Sequence, residues 1–455
     1  MSWNRNWKPD TPVLQSTMNF YSFTRKALYL FCALTPCGVL SQNVVRLSLN
    51  DAVAIALKNS LEIQIAKNEV EAAELMNHYG VAGGLPTVNA TLGNTEQVMN
   101  IRQKLQNGTN IERDGAAGNN LSGGVTASLL LYNGHRVVST KQRLEEIQRQ
   151  NEELLVAQIQ DLIAEVSTAY YDIVRQQSYV RTIQQSILAS EKRLEILEAR
   201  RSAGMANHAD IYQAQIDINS ANQLLMNQKL VVDVAKTELL RLLSEEPTIP
   251  LEIVDTIMVN NELRLEDFLD KASKNTRIKA SENQIRINEL IQREIAAQRY
   301  PTVRLNAALN YTRVQSAAGF NLLNQSFGPN IGLAVGIPIY NGNAFKRQQQ
   351  AAAVDIRTAQ KQKEILERDF KADVYKTWQA YQNALSQLET EIKNYRLTQE
   401  LLNLTMQRFE LIQATIIDVR EAQKSFEDAG YRLVNLSYAA KAAEIELFRL
   451  VNELN

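Results

Sequence analysis

Three histidines are the residues of this sequence best suited to metal binding or acid–base catalysis. They are His78, His135 and His208, and they lie far apart, without a partner at metal-ligand spacing. The sequence contains neither a phosphate-binding loop nor a Gly-Ser-Gly nucleophile turn. Its many Asp and Glu residues fit the solvated faces of helices. We therefore predict a protein that is not an enzyme and that binds no cofactor or metal.

The composition describes an ordered chain that tolerates helices. Of its 455 residues, 45% are hydrophobic and 22% are charged, and 9 are proline. The formal net charge of -1 leaves no basic face for a phosphate backbone. Nucleic acid is therefore excluded as a partner.

Residues 1–41 have the features of a secretory signal peptide. Its predicted start is Met18, because Arg25 and Lys26 precede the apolar run 27–34. Small residues then precede a cleavage site after position 41. We expect this segment to be removed from the mature protein.

Both cysteines, Cys32 and Cys37, lie within this predicted signal peptide. The mature chain is therefore expected to contain no thiol, disulfide or cysteine-based metal site. An alternative is a lipoprotein acylated at Cys37, although a proline directly before the cysteine fits a lipidation signal poorly.

The rest of the sequence is an internal duplication, because four patterns recur in the same order in both halves. The matched pairs are Leu47-Ser48-Leu49 with Leu263-Arg264-Leu265, Pro86-Thr87-Val88 with Pro301-Thr302-Val303, Tyr132-Asn133-Gly134 with Tyr340-Asn341-Gly342, and Asp210 with Asp418. The two repeats are predicted to span 42–262 and 263–455.

Each repeat is predicted to contain one shorter helix and two long helices. The predicted helices cover 48–80, 136–200 and 208–244, then 264–299, 343–409 and 416–453. In the helix at 136–200, apolar residues recur every three or four positions and form a stripe on one face. About 65 helical residues would reach about 98 Å, which no compact domain requires. Taken alone, the helices favour a soluble coiled-coil rod.

Four segments between the helices alternate in polarity with period two, as in tilted membrane strands of about ten residues. They are centred on 88–92, 124–132, 303–312 and 330–339. A soluble four-stranded sheet with one face on a core is the alternative interpretation. In lipid, an open sheet leaves unpaired edge groups, and known outer-membrane barrels start at about eight strands. Several chains would therefore share one barrel, with polar connectors 105–120 and 316–326 as outer loops.

Prolines and glycines mark the expected corners between strands and helices. Pro86 and Pro301 are predicted to end a helix immediately before the first and third strands. The Tyr-Asn-Gly turns at Gly134 and Gly342 are predicted to end the second and fourth strands. These corners would join a barrel to a helical tube.

The duplication, the segment Ile337-Pro338-Ile339-Tyr340-Asn341-Gly342, and Gly204 followed six residues later by Asp210 resemble the TolC outer-membrane efflux family. The resemblance covers nearly the whole mature chain. It implies a mainly α, α+β fold in which three chains form a twelve-stranded membrane β-barrel and a periplasmic α-barrel of coiled-coil helices. It also implies a mixed equatorial region that includes 245–262.

The same resemblance implies a location and a set of partners. The protein would be an outer-membrane conduit that extends into the periplasm and contacts outer-membrane lipid. It would dock on a periplasmic adaptor protein and an inner-membrane pump of the RND or ABC class. Small-molecule efflux and protein secretion are both compatible with it.

In this family the two helical hairpin turns close the periplasmic end, and here they lie at 201–210 and 409–418. The resemblance assigns Asp418 and Glu421 to an acidic entrance, and their three-residue spacing puts both on one helix face. Threefold symmetry would gather six carboxylates that attract cations. Alternatively, Asp210 and Asp418 cap or charge-stabilise the starts of their helices.

Two departures from the family pattern concern the closure of this entrance. Relatives often carry a tyrosine and an arginine that latch the closed state, where this sequence has Phe409 and Ala414. Gly204 in the first turn corresponds to Ile412 in the second. The latch is expected to differ, and Gly204, Asp210 and Ile412 mark the turns predicted to dock the adaptor.

A periplasmic coiled-coil adaptor or scaffold without a pore is the alternative from a different class. An adaptor usually carries a single hairpin flanked by other domains, whereas this chain has two equal halves. The duplication therefore favours the channel.

Overall fold

The structure, a computed structural model, describes residues 45–454. The predicted signal peptide, its start at Met18 and both cysteines lie outside the described residues. The first half contains β1 (Val45–Arg46), α1 (Leu49–Asn59), α2 (Leu61–Met76), β2 (Thr87–Lys104), β3 (Asn110–Tyr132), α3 (Arg136–Ser202) and α4 (His208–Leu242). The second contains β4 (Leu251–Glu252), α5 (Leu265–Ala272), α6 (Thr276–Ala297), β5 (Thr302–Ser316), β6 (Leu323–Gly336), α7 (Ala344–Glu410) and α8 (Ile416–Leu450).

The four long helices begin and end within three residues of their predicted bounds. Both α3 and α7 contain 67 residues, which corresponds to about 100 Å of helix. The apolar stripe predicted on α3 is turned inward, with Leu162, Val166, Tyr170 and Ile173 all buried. The apolar residues of α3 repeat over many turns, and this pattern was sufficient to predict that helix.

The two shorter predicted helices, 48–80 and 264–299, are each broken into two. Ser60 ends α1 and caps α2, since its hydroxyl accepts a hydrogen bond from Ile63 N at 3.3 Å. Asn275 caps α6 in the same way, with its side chain accepting from Arg277 N at 2.8 Å. Each break places a polar cap inside a continuous apolar pattern, which is why periodicity missed it.

The four longer strands form one antiparallel sheet in the order β2-β3-β5-β6. Val125 is the partner of Ala90 on one side and of Leu309 on the other. A separate parallel pair, β1 with β4, joins residues 45–46 to the region at 245–262.

The predicted outer loops, 105–120 and 316–326, are wrong in their extent. The connectors are 105–109 between β2 and β3 and 317–322 between β5 and β6. Glycine and asparagine have low strand propensity, yet residues 110–120 pair with β2 except at a bulge at 114–115. Cross-strand hydrogen bonding therefore overrides local preference here.

The predicted corners are correct only in part. Pro86 and Pro301 lie directly before β2 and β5, but α2 already ends at Met76, so Pro86 does not end that helix. Asn77 is its C-cap, because a ψ of 58° takes the backbone out of the helical region. The turn at Gly134 follows β3 directly as predicted.

The turn at Gly342 does not end the fourth strand. That strand stops at Gly336, so Ile337 and Ile339 lie beyond the sheet. Both Gly134 and Gly342 adopt positive φ, at 68° and 65°. At Gly134 a Cβ would lie 2.7 Å from Ala297 O, so only glycine fits that corner.

The long helices lie side by side in the order α4, α3, α8, α7, because α4 packs on α3, α3 on α8, and α8 on α7. One apolar core, which includes Val166 and Tyr170, joins α3 to α1. A second, which includes Phe268 and Tyr381, joins α5, α7 and α8. Among the described residues, no helix combines the length and apolarity needed to cross a bilayer.

Candidate entrance at the helical hairpin tips

Two turns connect the long helices, and their backbones close in the same way. We call residues 203–207 the first tip and residues 411–415 the second tip. In the first tip, Met205 N donates to Arg200 O at 2.8 Å. In the second, Gln413 N donates to Arg408 O at 2.7 Å. Both bonds return to the last helical turn and satisfy a carbonyl that the helix leaves free.

The left-handed position of each tip carries a different residue type. Gly204 has φ 76° and Ile412 has φ 62°. Glycine adopts this conformation without steric cost, whereas a β-branched side chain is strained in it. The second tip therefore stores backbone strain that the first does not.

Each tip ends in a side-chain cap on the next helix. The Asn207 side chain accepts from Asp210 N at 2.8 Å. The Thr415 hydroxyl accepts from Asp418 N at 3.2 Å, and the Asp418 carboxylate accepts from Thr415 N at 2.8 Å. This reciprocal capping box is present only at the second of the two tips.

The carboxylates predicted at the entrance are exposed on α8. The N–H of Thr415 holds the pKa of Asp418 below its usual range, with further contributions from the Thr415 hydroxyl and from Arg408. Asp418 is therefore charged and also caps its helix. Glu421 is exposed one turn further along α8. Asp210 lies in the first turn of α4, where its negative charge interacts favourably with the helix dipole.

Phe409, the third residue predicted at the entrance, is fully buried between the hairpins. Its ring packs in a cluster with Ile196, Leu197, Ile211 and Val419. The Arg200 guanidinium lies over the ring, 4.2 Å from its centroid. Within one chain Phe409 therefore joins α7 to the α3–α4 hairpin as a core residue.

A charged cluster near the tips was missed by the sequence analysis. Arg193 of α3 is only 1% exposed and contacts Asp217 of α4 at 2.7 Å, while Arg420 of α8 lies 3.4 Å from the same carboxylate oxygen. Burial lowers the pKa of the Arg193 guanidinium, and Asp217 opposes this effect. The sequence did contain a signal for this cluster. The charged Arg193 lies ten residues after Ile183, at a position that continues the apolar stripe of α3.

The histidines lie in three separate places. His78 accepts from Gly80 N at 3.1 Å in a turn, His135 precedes α3, and His208 begins α4. Between Val45 and Leu454, no three His, Cys, Asp or Glu side chains are grouped as metal ligands.

The family model described as "Outer membrane efflux protein" matches residues 52–245 and 274–453. The chain belongs to this family. The pyoverdine export outer membrane protein OpmQ of Pseudomonas aeruginosa is 22% identical over 88% of this chain and 84% of its own. The protease secretion protein PrtF of Dickeya chrysanthemi is 21% identical over 95% of this chain and 93% of its own.

The fold of this efflux-family protein is also found in a solved structure of another protein. The outer membrane protein VceC of Vibrio cholerae matches with a TM-score of 0.72 at 17% identity, over 89% of this chain and 96% of that one. The family consists of channels rather than enzymes. The protein is therefore an outer-membrane channel of an efflux or secretion system and extends into the periplasm. The alternative of a pore-free coiled-coil adaptor is excluded.

Proposed function

We propose that three copies of this efflux-family protein form one continuous conduit, with a twelve-stranded barrel above a tunnel of twelve long helices. The open sheet supports the sharing of one barrel between copies, and the number three follows from the family resemblance. Its outer strands β2 and β6 each pair on one side only within residues 45–454. A sheet in lipid has to close, and four strands from each of three copies bring the number above the minimum of about eight.

The exposed face of β6 fits this closure. Phe327, Ile331, Leu333 and Val335 are largely exposed in the single chain. In the proposed barrel, side chains of alternating direction face either lipid or the lumen. Along β6 these apolar residues alternate with Gly328 and with other glycine, small or polar residues. A strand with one face in lipid requires this alternation.

The helical layer has two open edges as well. On α4, Ile216, Leu230 and Val234 are exposed, and on α7, Leu397 and Leu404 are exposed. These apolar edges are different surfaces, so α4 of one copy would pack on α7 of the next. Such head-to-tail contacts close into a ring.

The hairpin tips would form the entrance of this conduit. Asp418 and Glu421 from three copies would supply six carboxylates, which favour cations over anions in a narrow passage. The charged state of Asp418 at neutral pH supports this role, because its pKa is held low. Capping the helix and lining the entrance are compatible roles for one carboxylate.

The same tips are the proposed docking surface for a periplasmic adaptor, which would link the conduit to an RND or ABC pump. Gly204 and Ile412 form the turning points, with Asp210 beside the first. Exposed Met205 and Leu411 add apolar surface. The conduit itself is passive and uses no cofactor, and its cargo is small molecules or proteins.

The proposal is tested by purifying the mature protein in detergent, measuring its mass and inserting it into planar bilayers. We expect a trimer that partitions with outer membranes and conducts ions. A monomer that stays soluble without detergent and gives no conductance would overturn the trimeric conduit.

The entrance is tested separately with Asp418→Asn combined with Glu421→Gln. Cation selectivity should fall, whereas Asp428→Asn, an exposed position further along α8, should leave it unchanged. Equal selectivity in all three proteins would remove Asp418 and Glu421 from the conduction path.

A further inference from the structure

The four-stranded sheet has two faces, and contacts between neighbouring strands show which residues share each of them. A Cβ at Gly123 would lie 3.2 Å from Leu92 Cδ1, so these two positions share a face. A Cβ at the next residue, Gly124, would lie 2.6 Å from Asn310 Oδ1, on the opposite face. Register and alternation extend this assignment along β5 and β6. We call the face that carries Leu92 the outer face and the face that carries Asn310 the inner face.

The outer face is apolar over five successive cross-strand pairs of β5 and β6. They are Val303–Val335, Leu305–Leu333, Ala307–Ile331, Leu309–Pro329 and Tyr311–Phe327. The inner face carries Arg304, Asn306 and Asn310. From Val303 to Tyr311, β5 rises about 27 Å along its axis, which is about 21 Å of height at a tilt of about 40°. The apolar band of a membrane barrel is about 25 Å tall, so the outer face fits lipid.

Aromatic rings mark one rim of this band, the rim nearest the connectors 105–109 and 317–322. Phe327 is 72% exposed, and Tyr311 lies opposite it. Aromatic residues are enriched where the apolar band of a barrel meets the lipid headgroups. The long helices α3 and α7 continue from the other end of the sheet, toward the periplasm. This rim therefore lies in the outer leaflet of the membrane.

Arg313 is the first residue of β5 on the outer face beyond this rim, and it lies directly opposite Gln325. Its Nη2 donates to Gln315 Oε1 at 3.5 Å, and its buried Nε has no hydrogen-bond partner among the described residues. By register, the nearest carboxylate on the outer face is that of Glu96, two strands away at about 10 Å across the sheet. An ion pair requires about 4 Å, so Glu96 does not neutralise Arg313.

A positive guanidinium just above an apolar band matches one kind of ligand. Its planar fork of N–H donors fits the oxygens of a phosphate, and a basic residue beside a membrane attracts anionic headgroups. The Gln325 amide is exposed beside Arg313 and can supply a second donor. Below them, the rings of Tyr311 and Phe327 offer apolar contact to acyl chains. Phosphate and acyl chains occur together in a phosphorylated lipid, which favours a lipid over a free anion or an acidic protein.

We propose that Arg313 binds a phosphate of a phosphorylated glycolipid in the outer leaflet, with Gln325 as a second donor and the Tyr311–Phe327 pair against the acyl chains. This inference rests on the proposed function, because it requires the sheet to lie in lipid. Each chain contributes one site, so a trimer would present three equivalent sites around its barrel. The site lies outside the conduction path and concerns only how the barrel is held in its membrane.

The phosphate is tested first with the wild-type protein. The mature protein in a non-ionic detergent is titrated with lipid A, a phosphorylated glycolipid, or with the same lipid after chemical dephosphorylation. Native mass spectrometry counts the lipids bound. The affinity for lipid A should be about tenfold higher, because only this form can accept charge-assisted hydrogen bonds on a phosphate. Equal affinity for the two forms would overturn the proposal without reliance on the folding of any variant.

The role of Arg313 is tested by substitution. Arg313→Gln should lower the affinity for lipid A by about five- to tenfold and leave that for the dephosphorylated lipid unchanged. Arg313→Lys should retain part of the affinity, since the ammonium keeps the charge but loses the planar fork. Arg304→Gln is the matched control, because it removes the same side chain from the inner face of the same strand. Equal losses in Arg313→Gln and Arg304→Gln would show a general effect of charge and overturn the site.

Inorganic phosphate distinguishes a lipid site from a site for a free anion. If the rings contribute to binding, phosphate at millimolar concentration should leave most of the lipid A bound. Phe327→Ala should weaken the binding of both lipid forms, since it removes apolar contact and leaves Arg313 in place. Displacement of lipid A by inorganic phosphate, together with no effect of Phe327→Ala, would identify a free-anion site and overturn the lipid as its ligand.

Conductance of the wild-type protein in planar bilayers separates this inference from the proposed conduit. A protein that conducts as a trimer but does not distinguish the two forms of lipid A would overturn the lipid site alone. A protein that neither forms trimers nor conducts would overturn the conduit, and with it the placement of Arg313 in the outer leaflet.

Discussion

In the first tip a glycine, Gly204, occupies the left-handed position, whereas the second tip places isoleucine, Ile412, in the same backbone conformation. The hydrogen bonds that close the two turns are equivalent. The cap residues Asn207 and Thr415 also share one conformation, with φ and ψ of -95° and 167° and of -92° and 168°. One backbone is therefore built from two different sets of side chains.

The second tip offsets its strain with interactions that the first lacks. The capping box of Thr415 and Asp418 satisfies an additional backbone N–H. Phe409 anchors the end of α7 in the core, whereas Arg201, the corresponding residue of α3, is exposed. The comparison shows that a strained turn persists when surrounding interactions, here the cap and the buried Phe409, hold it in place.

The largest effect is expected for Phe409→Ala. Removing a fully buried ring should destabilise the second tip by about 3–5 kcal/mol, because a cavity remains between the hairpins. Hydrogen exchange of the tip amides measures this loss as faster local opening. Arg201→Ala at the matched exposed position should have little effect, and equal acceleration in both variants would contradict the anchoring role of Phe409.

The second-largest effect is expected from exchanging the residues at the left-handed backbone position of each tip. Gly204→Ile should destabilise the first tip by about 1–2 kcal/mol through backbone strain. A Cβ at Gly204 meets no atom within 4 Å, so packing adds nothing to this value. Ile412→Gly should stabilise the second tip by less, because the flexible unfolded glycine offsets part of the gain. Hydrogen exchange in each tip gives both values, and destabilisation of the second tip by Ile412→Gly would refute the strain there.

Loss of the caps should have a smaller effect. Asn207→Ala and Thr415→Ala should each cost about 1 kcal/mol at the N-terminus of the following helix. Thr415→Ala should be the more destabilising of the two changes, since it also removes the hydroxyl that donates to Asp418 at 2.8 Å. Exchange rates at the first turns of α4 and α8 provide the measurement, and a larger loss at α4 would contradict this ranking.

The smallest effect is the response of the second tip to acid. The pKa of Asp418 is lower in the folded protein than in an unfolded chain, so its stabilising contribution is present above the ordinary Asp pKa of about 3.9. That contribution is lost as pH falls through the lower, folded value. Exchange at α8, corrected for its intrinsic pH dependence, should therefore accelerate on acidification. Asp418→Asn should remove this acceleration, and an unchanged response would exclude Asp418 as its source.

Several details of the fold and site could not be predicted, for physical reasons. Residues 110–120 contain glycines and asparagines that favour loops, and they pair with β2 through main-chain hydrogen bonds that side-chain composition does not reveal. The family resemblance predicts Phe409 at the entrance, but its burial depends on Ile196 and Ile211 from the other hairpin. The roles of Asp418, Glu421, Gly204, Asp210 and Ile412 in gating and docking stay predictions, as does the division at 262 and 263.

The sequence by itself determined the long helices, the presence of four strands, the duplication and the family. Each of these depends on a periodic or recurring pattern that neighbouring residues carry along the chain. Only the tertiary structure decided that Phe409 points into the core, that Arg193 and Arg420 share Asp217, and that Gly430 lies against Thr182. Those contacts join residues from different helices, and their energies depend on burial and distance, which no local pattern specifies.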